Sequence, residues 1–128
     1  MEKILIDTDI FIDFLRGHKK RILDFFKRID NKELIVLTTI LNVVELYSGE
    51  DIKNKNKLFA LEKILSHFQI IFISLSSAKL AGRLRLKYKL GIADAVIAAC
   101  AIESRAKLFT FNLKDFGKIK ELEIFKAL

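Results

Sequence analysis

The sequence predicts a single α/β domain, with a central, mostly parallel sheet of four to five strands flanked by helices. Short apolar runs typical of buried parallel strands alternate with longer segments of helical periodicity. The chain has 128 residues and no proline, and it shows no repeat, linker or low-complexity tract that would mark a boundary, so residues 1–128 are taken as one domain. Because strands that alternate with helices are joined by crossovers, we expect helices on both faces of the sheet.

The first half of the chain contains two predicted strands, each followed by a helix. Gly17 and Gly49 are expected to end helices, and Thr38 or Thr39 can cap the helix that follows the second strand. The predicted elements are a strand at 4–6, helices at 10–15 and 19–29, a strand at 34–37 and a helix at 40–48.

The second half repeats this alternation. Residues 83–90 are ambiguous, because they alternate as an exposed strand would and also place Leu80, Leu84 and Tyr88 on one helical stripe. Leu, Arg and Lys favour a helix, so we predict one, started by Ser76 or Ser77 and stopped by Gly91. The other predicted elements are a loop at 51–57, helices at 58–68 and 93–103, strands at 70–73 and 107–111, a loop or turn at 112–117, and a short last strand at 122–125.

Composition and charge narrow the class of protein. The formal net charge is +7, which suits a polyanionic partner such as nucleic acid or an acidic protein. No apolar run approaches the roughly 20 residues of a membrane span, and acidic residues interrupt the N-terminus where a signal peptide would be apolar. The single cysteine, Cys100, and the absence of a signal favour the cytoplasm, and the isolated residues His18 and His67 do not indicate a zinc site.

Three acidic residues lie beside or within apolar segments that are expected to be buried, so they are not easily explained as surface residues. Asp7 follows the first apolar strand directly, at the end of the sheet where parallel α/β proteins bind ligands. Glu45 lies in a largely apolar helix, on a narrow polar stripe with Asn42 and Gly49, and Asp94 heads an apolar, alanine-rich helix.

Each acid also has a simpler interpretation. Asp94 could be a first-turn acid in the helix dipole, worth roughly 0.3–1 kcal/mol, Glu45 could pair with a basic residue, and Asp7 could cap its own turn. We interpret Asp9 and Asp13 as capping and surface residues, with Asp13 paired to Arg16. Acids from separate segments that converged would repel unless neutralised, and Mg²⁺ or Mn²⁺ binds such oxygen ligands. A group of acids that holds such an ion can admit a phosphate, so the three acids together indicate metal-assisted phosphodiester hydrolysis.

Four segments, in order, resemble the motifs of PIN domains, in particular the VapC-type toxin ribonucleases of toxin–antitoxin pairs. No single motif is specific, but the four together cover the whole chain. They are ILIDTDIFIDFLRG at 4–17, TTILNVVELYSG at 38–49, LGIADAVIAA at 90–99 and LFTFNLKDF at 108–116.

The resemblance implies a parallel α/β fold and a Mg²⁺- or Mn²⁺-dependent endoribonuclease whose acidic positions are Asp7, Glu45 and Asp94. The family often has a further Asp where this sequence has Asn112, so a second tightly held metal is in doubt here, and Asp115 is the other candidate for that fourth position.

The implied mechanism assigns metal binding to Asp7 and Asp94. Glu45 would ligate the metal directly or through water and help deprotonate the attacking water. In-line attack would leave 5′-phosphate and 3′-hydroxyl ends. Thr8 and Thr110 would orient these groups or contact the phosphate.

The resemblance also implies partners. These are the RNA substrate, a cognate VapB-like antitoxin protein whose tail occupies the basic cleft, and a second copy of the chain in a homodimer. The apolar residues at 58–68 exceed what one buried stripe requires, so that helix is a candidate partner surface.

Three other functions remain open. A housekeeping RNA-processing nuclease would lack the antitoxin gene expected immediately upstream of a toxin. A non-catalytic PIN domain that binds RNA or protein would be expected to lose acids that this chain keeps. A phosphoacceptor domain also places an Asp at a strand end, but it needs an acidic pair beside Asp7 and a strand-end lysine that are not evident.

Overall fold

The computed structural model describes residues 1–126 and places four parallel strands in one sheet. The strand order is β3-β2-β1-β4, with β1 and β2 in the centre. The strands are β1 (Lys3–Ile6), β2 (Ile35–Thr39), β3 (Gln69–Ile71) and β4 (Lys107–Phe109). The parallel direction and the number of strands confirm the predicted class of fold.

Helices cover both faces of this sheet. Ile4 and Ile6 of β1 belong to a core cluster with Phe11 and Phe26, whereas Leu5 belongs to a second cluster with the alanine-rich helix on the opposite face. The α-helices of the described residues are α1 (Thr8–Arg16), α2 (Lys20–Asp30), α3 (Ile40–Tyr47), α4 (Lys55–Leu65), α5 (Leu75–Tyr88), α6 (Ile92–Glu103) and α7 (Leu113–Phe116). None of the helices within residues 1–126 is long and apolar enough to span a membrane.

The helices that begin at the carboxyl ends of the strands start with side-chain caps. Asp7 caps α1 by accepting from the backbone N–H of Thr8, and Gly17 ends that helix with a left-handed φ of 65°. Thr39 caps α3 and forms a reciprocal pair of hydrogen bonds with Asn42. Because these connections are short and β1 and β2 are parallel neighbours, α1 and α3 begin at the same edge of the sheet.

Most of the ambiguous segment 83–90 is helical, because α5 includes its residues up to Tyr88. Leu84 is buried because α5 packs closely against α6. Two details of the prediction are wrong. Ser74 caps the helix instead of Ser76 or Ser77, and Lys89 ends it with φ 57°, so Gly91 instead precedes α6.

The ends of most predicted elements differ from the structure by one to three residues; the strands predicted at 70–73 and 107–111, for example, end at Ile71 and Phe109. Two predicted segments also differ in kind. The segment 51–57 is not a plain loop, because a short 3₁₀ helix forms at Glu50–Lys53 and α4 already begins at Lys55. The expected strand at 122–125 makes only a single bridge, between Leu108 and Ile124, so within residues 1–126 it does not become a fifth strand.

Candidate functional site

Asp7 lies at the centre of the carboxyl end of the sheet and is 8% exposed. Its Oδ1 accepts from the backbone N–H of Thr8 at 2.9 Å and from Nδ2 of Asn42 at 3.1 Å. Its Oδ2 accepts from the hydroxyl of Thr110 at 2.7 Å. Donors from α1, α3 and the end of β4 therefore fix the orientation of this carboxylate.

Asn42 connects the first two acidic segments, and sequence reasoning did not include it in the site. It is fully buried, and its Oδ1 accepts from the backbone N–H and the hydroxyl of Thr39 at 3.2 and 2.7 Å. Its Nδ2 donates to Asp7 and, at 3.0 Å, to Oγ1 of Thr8. The signal in the sequence was the polar stripe that Asn42 shares with Glu45 on an apolar helix.

Thr8 joins Glu45 to this network. Its hydroxyl donates to Oε1 of Glu45 at 2.8 Å while it accepts from Asn42. Because the hydroxyl has only one hydrogen, these contacts fix its direction. Glu45 is exposed, unlike Asp7, and its second oxygen makes no hydrogen bond within residues 1–126.

Asp94 lies in the first turn of α6 and is partly buried. Its pKa is raised, first by burial and then by the negative charges of Asp7, Asp115 and Glu45. The three acids predicted from the sequence are therefore near enough to act on one another electrostatically.

Asp9 also belongs to this region, although we expected it only to cap a helix. Its Oδ2 accepts from the backbone N–H of Phe111 at 3.1 Å and lies 3.4 Å from the Thr110 hydroxyl. Within residues 1–126 its Oδ1 is buried and lacks a hydrogen-bond partner. Burial and, second, the charge of Asp7 raise the pKa of Asp9 to about 6.

Asp13 is likewise not a surface residue and does not pair with Arg16. It is 7% exposed, accepts from the backbone N–H of Lys19 at 3.2 Å and lies 3.6 Å from the ammonium of Lys19. Arg16 instead pairs with Asp51 at 3.0 Å. Asp13 therefore connects α1 to the start of α2 and has a structural role.

The two candidates for the fourth position form one small unit at the start of α7. The Asn112 amide nitrogen donates to Oδ2 of Asp115 at 3.2 Å, and the backbone N–H of Asp115 approaches Oδ1 of Asn112 at 3.4 Å. Asn112 is thus engaged in capping α7. Asp115 lies near enough to Asp94 for its negative charge to contribute to the raised pKa of Asp94.

The donor chemistry of this region fits a hard divalent cation. The ion pairs formed within residues 1–126 involve none of Asp7, Asp9, Glu45, Asp94 and Asp115, so their charges are not matched by basic side chains. Carboxylate oxygens are the ligands that Mg²⁺ and Mn²⁺ prefer. In the described part of the chain, no three acidic, histidine or cysteine side chains already form a compact cage for an ion.

Comparison with known proteins identifies relatives along nearly the whole chain. The family model described as PIN domain matches residues 4–122. Ribonuclease VapC19 of Mycobacterium tuberculosis is 31% identical over 124 residues, which cover 93% of this chain and 96% of that protein. Ribonuclease VapC of Rickettsia bellii is 28% identical over 131 residues, covering 94% of this chain and 93% of that protein.

Solved structures agree with this assignment. A toxin–antitoxin complex from Klebsiella pneumoniae contains a chain that is 29% identical, with a TM-score of 0.76 and coverage of 98% of this chain and 99% of that one. The DNA-bound VapBC complex of Salmonella typhimurium, at 21% identity and a TM-score of 0.80, supports the fold and covers 98% of each chain. On these matches and on the acids gathered at the carboxyl end of its sheet, the chain belongs to the PIN-domain family.

Proposed function

We propose that this protein is a metal-dependent endoribonuclease, the toxin of a VapBC-type toxin–antitoxin pair. The observation that carries the proposal is the grouping of Asp7, Glu45 and Asp94 from three separate segments at one end of the sheet. The names of the two ribonuclease relatives supply the reaction class.

The contacts of each acidic residue indicate the role that we propose for it. Asp7 is oriented by three hydrogen bonds, so it would present its remaining lone pairs to a cation without rearrangement. Asp94 and Asp7 would hold Mg²⁺ or Mn²⁺, with Asp115 as the candidate for the fourth position. When bound, that ion supplies the positive charge that lets a phosphate approach the carboxylates and lowers the pKa of a bound water.

Glu45 is the acid best placed to accept a proton from the attacking water. The residue is exposed, and one of its oxygens accepts from the Thr8 hydroxyl while the other has no hydrogen-bond donor within residues 1–126. Thr8 and Thr110 orient Glu45 and Asp7 respectively. In-line attack on phosphorus would leave 5′-phosphate and 3′-hydroxyl ends.

A VapB-like antitoxin is the proposed protein partner, and a homodimer the proposed assembly. The structures of similar fold include toxin–antitoxin complexes. Phe59 on α4 is 70% exposed, which supports the expectation that this helix offers an apolar partner surface. A small gene immediately upstream whose product co-purifies with this chain would support the toxin assignment over a housekeeping nuclease.

Cleavage of total RNA by antitoxin-free protein tests the catalytic proposal. We expect cutting with Mg²⁺ or Mn²⁺, none in EDTA, and a loss of about 10²-fold or more in Asp94→Asn. Asp30→Asn is the matched control, because Asp30 lies exposed at the end of α2, where it contacts His67 at 3.5 Å. Equal activity of the two variants, or an unaltered protein that cuts no RNA with either metal, would overturn the proposal.

A further inference from the structure

A cavity of about 830 Å³ opens beside Thr110, next to the acids, and its function is not explained by the catalytic residues. It lies between α2 and the segment that follows β4, and its walls include Arg21, Phe111, Leu113, Phe125 and Lys126. A second cavity of about 480 Å³ shares Arg21, Phe125 and Lys126 and continues to Arg28 and Lys107. We call the two together the β4 furrow.

The charge of the β4 furrow available for binding is positive. Its walls carry four basic and three acidic side chains: Glu2 and Glu123 share a single partner, Lys107, at 2.9 and 3.3 Å, and Asp24 pairs at 3.0 Å with Lys20, which lies outside the walls. Arg21 and Arg28 form no ion pair within residues 1–126. Two guanidinium groups are therefore available to an anion.

An aromatic ring connects this positive surface to the acids. The guanidinium of Arg21 lies 5.7 Å from the ring centre of Phe111, and the ammonium of Lys19 lies 4.2 Å from it. Phe111 follows Thr110, the residue that donates to Asp7, and its own N–H is bonded to Asp9. The position of the ring is thus set by the same contacts that build the acidic site.

We propose that the β4 furrow binds the single-stranded RNA segment next to the scissile phosphate, with Arg21 on a backbone phosphate and Phe111 against a base. Single-stranded RNA is bound in this way, by cationic groups that follow the backbone and aromatic rings on which bases stack. The proposal deepens the proposed ribonuclease function and rests on it. A phosphate held at Arg21 would place the neighbouring chain at Thr110 and the acids.

Binding of a fluorescent single-stranded RNA of about 12 nucleotides and mixed sequence, followed by anisotropy in EDTA, tests this separately from cleavage. We expect Arg21→Gln to weaken binding about five- to tenfold and to reduce the slope of log affinity against log salt by about 1. Phe111→Leu should weaken binding about tenfold and leave the salt slope unchanged, because it removes a stacking surface and no charge.

Lys27→Gln is the matched control, since Lys27 is an exposed cation of the same helix that borders a different cavity, with Phe14 and Ile64. It should bind RNA like the unaltered protein. The proposal is overturned if Arg21→Gln binds normally, if Lys27→Gln loses as much, or if the unaltered protein does not bind the RNA. Arg21-dependent binding without metal-dependent cutting would refute the ribonuclease while the furrow's RNA contact stands.

Discussion

The acidic residues at the two ends of the sheet differ in whether a basic side chain pairs with them. At the amino end Lys107 pairs with both Glu2 and Glu123, and hydrogen bonds to these two carboxylates raise the pKa of Lys107. At the carboxyl end Asp94 faces Asp7, Asp115 and Glu45, and its pKa is raised by burial and by these like charges. The acids at the amino end have a basic partner within the chain, whereas the ion pairs of residues 1–126 include none of those at the carboxyl end.

This difference explains how one fold can carry both a stable surface and a reactive site. The hydrogen-bond donors at the carboxyl end are all neutral: the Thr8 N–H, the Asn42 amide and the Thr110 hydroxyl hold Asp7 in place. Neutral donors orient a carboxylate without cancelling its charge, so the charge stays available to a cation.

The largest effect on stability is expected at Asn42. Asn42→Ala removes the partner of Thr39 and one donor to Asp7 in a fully buried position, and it should lower the free energy of unfolding by about 2–3 kcal/mol. Urea unfolding would measure the change. Asn54→Ala, at the exposed cap of α4, is the control and should cost only about 1 kcal/mol. Equal losses would mean that the buried network adds nothing beyond a helix cap.

Asp9 should make the protein less stable as the pH rises. The folded protein holds the Asp9 proton up to a pKa of about 6, whereas the unfolded chain releases it near 3.8. The loss in free energy of unfolding that comes from ionising Asp9 is therefore absent below about pH 4. It grows between the two pKa values and is complete above about pH 6.

Asp9→Asn removes this loss. Because Asp9 is partly exposed, we expect the variant to be more stable by only about 1–2 kcal/mol at neutral pH, with no difference near pH 4. Unfolding curves of both proteins across this range would show it, with the exposed Asp24→Asn as control. A stabilisation that is the same at every pH would rule out titration of Asp9 as the cause.

The smallest effect is expected at the amino end, from Lys107→Gln. This substitution leaves Glu2 and Glu123 without their shared cation, but both are solvent-accessible and salt screens the interaction. The change in melting temperature should be smaller than that of Asp9→Asn and should disappear in high salt. A larger loss than at Asn42 would contradict the contrast between the two ends.

Much of the fold followed from local pattern. The apolar runs identified the four strands. Residue preferences were enough to predict a helix at 83–90, and α5 confirms it as far as Tyr88. Helix boundaries that depend on hydrogen bonds between specific side chains were harder to predict from the sequence. Ser74 caps α5 because Ser77 returns its hydrogen bond, and three nearby serines could not be told apart by pattern.

The acids of the site could be identified from the sequence, but their pairings could not. Asp7, Glu45 and Asp94 stood out because each interrupts an apolar segment. Arg16 pairs with Asp51, 35 positions away, so the nearest acid in sequence was the wrong partner. The roles of Asp9 and Asn42 depend on contacts that form only in the folded chain. The segment after β4 donates to Asp9, and Asn42 at the start of α3 donates to Asp7.

The most direct test of the account is a calorimetric titration of Mn²⁺ into the unaltered protein, Asp94→Asn and Glu123→Gln. We expect the unaltered protein and Glu123→Gln to bind the ion alike, because Glu123 lies at the amino end and already pairs with Lys107. Asp94→Asn should bind at least about tenfold more weakly, since it loses a charged oxygen ligand. Equally tight binding by Asp94→Asn, or no binding by the unaltered protein, would contradict the claim that the carboxyl end of the sheet is built to receive a cation.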